Sequence, residues 1–141
     1  MIFLGADHAG YKTKEEVKKF LKKAKIPHMD LGTYSEEPVD YPIYAKRVVN
    51  AVLKTKGKGI LVCGTGQGMC TTANRNHGIR ASLLYDDYSA KMSRMHGDSN
   101  IACLRGRKFP AKKSVQLVKI WLNTRFTGDK RHKRRIKELE W

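Results

Sequence analysis

Long apolar runs and paired cysteines are both missing from this sequence of 141 residues. No stretch reaches the roughly 20 apolar residues that a membrane-spanning helix needs, and the first residues do not follow the pattern of a signal peptide. The three cysteines, Cys63, Cys70 and Cys103, form no even disulfide set, and their spacing does not match the usual zinc-binding arrangements. We therefore expect a reduced protein of the cytoplasm.

Acidic residues are scarce as well, because 13 Asp and Glu stand against 29 Lys and Arg, which gives a net charge of +16. Such a charge attracts polyanions, including nucleic acids, and speeds encounter with phosphorylated small molecules. Many lysines fall in the segment YKTKEEVKKFLKKAKI, where they occupy the solvent face of a predicted amphipathic helix. The segment DKRHKRRIK near the C-terminus instead contains arginine, whose forked guanidinium group binds oxyanions.

Proline is also rare, with 4 residues, and no linker, repeat or low-complexity segment interrupts the chain. The length fits a single domain, residues 1–141. Short apolar strands alternate with helices, a pattern that indicates a parallel sheet covered by helices on both faces. Strands are predicted over residues 2–5, 28–31, 59–63, 79–84 and 100–104. Helices are predicted over residues 11–25, 43–54, 68–76, 86–96, 110–126 and 130–140, the last of them strongly basic.

The clearest functional signal lies in the segment GILVCGTGQGMC, whose strand ends at Cys63 and leads into a loop with Gly64, Gly66 and Gly68. Ligands of parallel sheets bind beyond the carboxyl ends of the strands, and glycines let the backbone approach a ligand closely. Unpaired N–H groups at the start of the next helix would bind a phosphate or an oxyanion. The loop lacks the lysine of a Walker A motif, the spacing of GxGxxG and the closing arginine of a cysteine phosphatase.

Cys63 itself has two interpretations. A cysteine that ends a strand is often a small core residue. A thiol at a helix N-terminus instead has its pKa lowered from about 8.5, because the thiolate faces the positive end of the helix. Such a thiolate acts as a nucleophile or as a proton-abstracting base. Cys70 and Cys103 lack this setting and are predicted to be core residues.

Histidines and arginines near the predicted strand ends could complete a site. His8 follows the first strand, His96 precedes the fifth strand and Arg107 follows it. Arg131 and Arg135 are four residues apart and therefore share one face of the last helix. A thiolate base, imidazole groups, an oxyanion cradle and paired arginines together suggest proton transfer next to the carbonyl group of a sugar phosphate.

Seven motifs follow one another along nearly the whole chain: GADHAG, DLGTYS, VDYP, CGTGQGM, ANRNHGIRA, SAKMSRMHGDSN and GDKRHKRR. In this order they resemble the motifs of the type B ribose-5-phosphate isomerases, a family that includes galactose-6-phosphate and allose-6-phosphate isomerases. The resemblance implies a Rossmann-like three-layer sandwich with a five-stranded parallel sheet. It also implies a homodimer, or a tetramer of such dimers, with active sites at the dimer interface and no metal or organic cofactor.

The resemblance also implies the reaction, which interconverts ribose 5-phosphate and ribulose 5-phosphate through an enediolate in the pentose phosphate pathway. Cys63 would move the proton between C1 and C2, while Thr65 and the loop from Gly64 to Gly68 would stabilise the enediolate oxygen. His96, contributed across the interface, would open the furanose ring. The implied substrate-binding residues are Asp7 for the sugar hydroxyls, His8, Arg107, Arg131 and Arg135 for the phosphate, and Tyr41 in the pocket wall.

Two positions depart from the family pattern. Gly97 stands where the family commonly has asparagine after His96, so a side-chain hydrogen bond to the substrate is either lost or supplied by another group, with Asn100 as the candidate. The string GDKRH is one residue longer than the usual GGRH, which leaves the register of Arg131 open. Retention of both Cys63 and His96 favours ribose 5-phosphate as the substrate.

Three alternatives stay open. An isomerase of a six-carbon substrate such as allose 6-phosphate would need a roomier pocket around Gly97 and Met69. A nucleic-acid-binding protein on the same fold would explain the charge of +16, although recognised nucleic-acid motifs are missing. A catalytically silent member with a regulatory role is the third, and the set of Cys63, His8, His96 and Arg135 argues against it.

Overall fold

Strands and helices alternate along residues 1–140, the part of the chain that the computed structural model describes. The strands are β1 (Ile2–Ala6), β2 (His28–Asp30), β3 (Lys58–Cys63), β4 (Ala81–Leu83) and β5 (Ile101–Arg105). The helices are α1 (Tyr11–Lys23), α2 (Tyr41–Thr55), α3 (Gln67–Asn74), α4 (Asp87–Met95), α5 (Ala111–Asn123) and α6 (Lys130–Leu139). The predicted α/β fold with a basic C-terminal helix is confirmed. None of these helices is long and apolar enough to cross a membrane.

All strand pairs are parallel, and the order across the sheet is β2-β1-β3-β5-β4. The chain extends the sheet from β1 to β2 on one side and then continues with β3 on the other side of β1. Ala6 lies opposite Val62, and Cys63 lies opposite Arg105. This register brings the ends of β1, β3 and β5 to one edge of the sheet, where ligands of such folds bind.

Two apolar layers enclose the sheet and make it the middle of three layers. On one face, Leu4 and Leu104 pack against Trp121 of α5 and residues of α1 and α4. On the other face, Leu61 and Cys103 pack against residues of α2 and α3. Cys103 is fully buried, as predicted. The sheet can therefore bind a ligand only at its edges.

Several element boundaries differ from the predictions for local reasons. Helix α2 begins at Tyr41 instead of residue 43, because Pro42 is tolerated in the first turn of a helix. Strand β4 is three residues long instead of six, because the Ile79 N–H bonds to the Asn76 carbonyl in a turn. Asp86 is the N-cap of α4, since its side chain accepts a hydrogen bond from the Ser89 N–H at 2.7 Å.

Candidate active site

A cleft of about 510 Å³ opens at the carboxyl edge of the sheet, between the end of β3 and the start of α2. It brings together six of the predicted site residues with two further ones, Gln67 and Thr71. The lining residues are Asp7, Tyr41, Cys63, Gly64, Thr65, Gln67, Gly68 and Thr71. Gln67 and Thr71 are four apart on α3, so helical periodicity beyond the glycine loop was the signal that could have identified them.

Cys63 is buried before the N-terminus of α3, where the backbone N–H groups of Met69, Gly66 and Gly68 favour its thiolate form. Burial nevertheless raises the pKa of the Cys63 thiol above its usual value, and the negative charge of Asp7 adds to this effect. The prediction of a lowered pKa is therefore wrong. The loss of water around the thiolate outweighs the stabilising charge of the helix N-terminus. At neutral pH the thiolate is therefore a small fraction of Cys63, but it is a strong base.

The glycines of the loop have different structural roles. Gly66 has a φ of 80°, and a Cβ at this position would lie 2.6 Å from Cδ1 of Leu83. A Cβ on Gly68 would lie 2.7 Å from Cε1 of Tyr41, whose ring covers this residue. A Cβ on Gly64 would meet no heavy atom closer than 3.5 Å. Gly66 and Gly68 are thus required by packing, whereas Gly64 leaves space in the cleft.

Asp7 and His8 follow β1 and are both fixed by backbone groups. Asp7 is buried, and its Oδ1 accepts hydrogen bonds from the N–H groups of Ala9 at 2.9 Å and Gly10 at 3.0 Å. The Nδ1 atom of His8 accepts a hydrogen bond from the Val39 N–H at 3.1 Å. In the neutral ring this bond assigns the proton to Nε2, which makes Nε2 the donor for an anion.

Thr65 and Arg107 lie on the exposed side of the glycine loop. The Oγ1 atom of Thr65 accepts a hydrogen bond from the Gln67 N–H at 3.2 Å, so the hydroxyl proton remains available to a ligand. The backbone N–H of Arg107 donates to the Gly64 carbonyl at 3.1 Å. This bond holds the arginine beside the loop, where its guanidinium group can reach an anion.

The remaining predicted residues lie at the opposite edge of the sheet. His96 follows α4 and Asn100 immediately precedes β5, while Arg131 and Arg135 are exposed on α6. The five residues of β5 alone separate the two edges by about 13 Å. A single chain therefore does not bring His96 to Cys63.

A second histidine contacts His96 at this edge, where the strands begin and which we call the amino edge. The rings of His96 and His132 stack with their centroids 4.3 Å apart and their planes 13° from parallel. His132 is the buried residue of α6, whereas His96 is exposed. Burial lowers the pKa of His132, and the neighbouring His96 and Arg131 lower it further. The sequence does not identify His132, because the string RHKRR predicts only an arginine-rich basic surface.

The sequence profile described as Ribose/Galactose Isomerase matches residues 2–139. This chain belongs to the Ribose/Galactose Isomerase family. The family resemblance predicted from the motifs is therefore confirmed.

Relatives agree with this family over almost the full chain. Ribose-5-phosphate isomerase B of Escherichia coli is 37% identical over 139 residues, which are 98% of this chain and 93% of that protein. A ribose 5-phosphate isomerase from Thermotoga maritima has a TM-score of 0.95 at 44% identity, over 99% of this chain and 96% of the other. Ribose-5-phosphate isomerase B from Mycoplasma genitalium, with bound ribulose-5-phosphate, has a TM-score of 0.93 at 35% identity, over 98% of this chain and 92% of the other. The predicted Rossmann-like fold is confirmed.

In this member of the Ribose/Galactose Isomerase family, two arginines hold the loop that follows His96. The Nε atom of Arg80 donates to the carbonyls of Gly97 and Asp98, each at 3.1 Å. The buried Arg94 donates from Nη1 to Oδ1 of Asp98 at 2.9 Å and to the Ser99 carbonyl at 2.6 Å. Arg80, the second arginine of the ANRNHGIRA motif, is therefore part of the scaffold of the amino edge.

Asn100 belongs to the same scaffold. Its Oδ1 accepts a hydrogen bond from the Arg80 N–H, and its Nδ2 donates to the Gly78 carbonyl, both at 2.8 Å. Because each end of the amide is bonded to backbone, the structure gives Asn100 a structural role and does not support the predicted contact with substrate. The Asn100 amide joins the start of β5 to the residues that lead into β4.

Proposed function

We propose that this protein interconverts ribose 5-phosphate and ribulose 5-phosphate. The observation that carries the proposal is the Cys63 thiol, which lies in the cleft at the N-terminus of α3. Membership of the Ribose/Galactose Isomerase family and the names of the relatives support the same reaction. The three free cysteines fit a reducing compartment, and we place the enzyme in the cytoplasm.

The cleft supplies what an aldose–ketose isomerisation requires. The Cys63 thiolate takes the proton from C2 of the open-chain aldose, and the electron pair moves onto the carbonyl oxygen to give an enediolate. The Thr65 hydroxyl and the N–H groups of the glycine loop stabilise this oxyanion. The hydroxyl proton on O2 then passes to O1, and return of the carbon-bound proton from the Cys63 thiol to C1 yields the ketose and regenerates the thiolate. Asp7, buried beside Cys63, accepts hydrogen bonds from the sugar hydroxyls.

Ring opening requires an acid or base near the furanose oxygen, and His96 has this chemistry. Because His96 and Cys63 lie at opposite edges of one chain, we infer that the active site combines the carboxyl edge of one copy with the amino edge of a second. Exposed apolar side chains on α2 offer a surface for this contact, namely Tyr41, Ile43 and Leu53. The working assembly is then a homodimer, alone or within a tetramer.

The phosphate would be bound by cations from both copies. Arg131 and Arg135 are exposed on α6, beside His96. His8 and Arg107 lie at the carboxyl edge, and the Nε2 proton of His8 points away from its backbone partner. Arginine binds phosphate through paired N–H groups, which favours this assignment.

The first experiment measures conversion of ribose 5-phosphate in EDTA for the wild type, Cys63→Ala and the control Cys70→Ala. We expect Cys63→Ala to lower kcat about 1000-fold, within the range that a general base contributes, while Cys70→Ala stays active. Activity retained by Cys63→Ala would contradict the assignment of the base. A wild type that converts allose 6-phosphate instead would replace the five-carbon substrate by a six-carbon one.

The second experiment tests the composite site by mixing two inactive variants, Cys63→Ala and His96→Ala, after reversible dissociation. Half of the dimers that form are mixed, and each of these contains one intact site. We therefore expect recovery of about a quarter of the wild-type activity. Each variant treated alone is the control. If the mixture stays inactive although mixed dimers form, both catalytic residues belong to the same chain and the composite site is wrong.

A further inference from the structure

The stack of His96 and His132 at the amino edge contains a residue that the reaction as proposed above does not use. His132 is 6% exposed, and its Nε2 atom is buried without a hydrogen-bond partner among residues 1–140. A buried polar atom in this state costs free energy and is uncommon in native proteins. We propose that His132 is a positioning residue, whose flat ring fixes the plane of the His96 imidazole for ring opening. This inference rests on the proposed function.

His96 lacks the usual means of orienting a catalytic imidazole. In most such sites one ring nitrogen is held by a hydrogen bond, so that the other faces the substrate. Within residues 1–140 neither ring nitrogen of His96 has a hydrogen-bond partner, and the ring contact observed is the stack with His132 at 4.3 Å. Stacking fixes the ring plane while it leaves both nitrogens free for proton transfer.

The supporting ring is itself held firmly, because α6 is fastened near both ends. Before the helix, the backbone N–H and the hydroxyl of Thr127 both donate to the Met95 carbonyl at 3.1 Å. After the helix, the carboxylate of Glu140 accepts a hydrogen bond from the Gly78 N–H at 2.8 Å and lies 2.9 Å from Nδ1 of His77. These contacts hold in place the helix that carries His132.

The protonation state of His132 also affects the stack with His96. Burial lowers the pKa of His132, as do His96 on the facing side and Arg131 and Arg135 on α6, against an opposing effect from Asp129. His132 is therefore neutral at neutral pH, and it does not repel His96 when that imidazole takes up a proton. As the pH falls and His132 becomes protonated, its positive charge opposes the proton that His96 takes up during ring opening.

The test compares two variants that fill the same buried space, His132→Phe and His132→Leu, with the exposed neighbour Lys133→Ala as the control. Phenylalanine keeps a flat face against His96, whereas leucine does not. Two reactions separate the steps. Conversion of ribose 5-phosphate requires ring opening. Exchange of the C1 hydrogen of ribulose 5-phosphate in D2O requires only proton transfer at Cys63, because this ketose has its C5 oxygen esterified and stays open-chain.

We expect His132→Leu to lower kcat for ribose 5-phosphate by about 10- to 100-fold, with little change in KM, as a misplaced catalytic group does. Its exchange reaction should stay within about twofold of the wild type, as should both reactions of Lys133→Ala, since the Cys63 step is untouched. His132→Phe should convert ribose 5-phosphate nearly as well as the wild type and should lose less activity at acidic pH.

Three results would overturn the inference. Equal activities of the two variants would show that a flat ring is unnecessary, and loss of exchange together with conversion would indicate a general structural role. A His132→Leu variant that converts ribose 5-phosphate at the wild-type rate would show that His96 needs no supporting ring. A wild type without exchange or conversion would instead contradict the proposed function, which the inference presupposes.

Discussion

The two edges of the sheet differ in how they hold their functional groups. At the carboxyl edge, backbone N–H groups face the Cys63 thiol and bind the Asp7 and His8 side chains, which follow the ends of β3 and β1. At the amino edge, His96 is supported by side chains, namely His132 from the last helix and Arg80 and Arg94, which bind its loop. Backbone groups fix one edge, and side-chain contacts fix the other.

This difference explains what each edge can do. Backbone N–H groups need little reorganisation, so they form a rigid cradle for charge that develops during a reaction. Side-chain contacts at the amino edge leave His96, Arg131 and Arg135 exposed, so the groups for ring opening and phosphate binding can meet a second copy of the chain. The carboxyl edge is therefore expected to control proton transfer, and the amino edge to control ring opening and binding.

The largest expected effect concerns the pH dependence of proton transfer at the carboxyl edge. Burial raises the pKa of Cys63 above its ordinary value of 9.0, so the thiolate fraction grows about tenfold per pH unit below that pKa. Exchange of the C1 hydrogen of ribulose 5-phosphate should rise about 1000-fold between pH 6 and pH 9. The measurement is NMR of deuterium incorporation across this range. A plateau that begins below pH 8 would show that the thiol pKa is not raised.

The carboxyl edge was largely predictable from the sequence. The strands are visible as apolar runs, so their ends can be located in the sequence. Because ligands bind beyond these ends, the sequence leads directly to Asp7, Cys63 and the glycine loop. What failed there was the sign of the pKa shift of Cys63. The sequence shows that a helix follows the thiol, but it does not show how completely the layers bury it.

The amino edge was not predictable in the same way. His132 and Arg94 are far apart in the sequence, and neither lies at a strand end. His132 looks like one more polar residue of a basic helix, and only the packing of α6 against the end of α4 shows that it is buried. Asn100 is predicted in the site as a replacement for the family's asparagine at Gly97, whereas its amide is bonded to backbone on both sides.

The second prediction tests whether side chains really hold the amino edge. Arg94→Met keeps the length and apolar stem of the side chain but leaves Asp98 without its buried partner and the Ser99 carbonyl without a donor. The loss of a buried charged hydrogen-bond network should cost about 3 kcal/mol of unfolding free energy. The control is Arg134→Met on the exposed face of α6, where a change within about 0.5 kcal/mol is expected. Urea denaturation followed by circular dichroism measures both, and equal effects would contradict this account.

The smallest expected effect concerns the glycine loop, whose backbone forms part of the carboxyl edge. Gly66 has a φ of 80°, and a Cβ there would press against Leu83 at 2.6 Å and the Leu104 carbonyl at 3.0 Å. Gly66→Ala should therefore lower the unfolding free energy by about 2 kcal/mol, through backbone strain and steric conflict. Gly64→Ala is the matched control, because its Cβ meets no heavy atom closer than 3.5 Å, and its cost should stay within about 0.5 kcal/mol. Urea denaturation separates the two variants. If both cost the same, the geometry of the turn at Gly66 does not stabilise this edge, and the contrast between a backbone-built and a side-chain-built half of the site loses its physical basis.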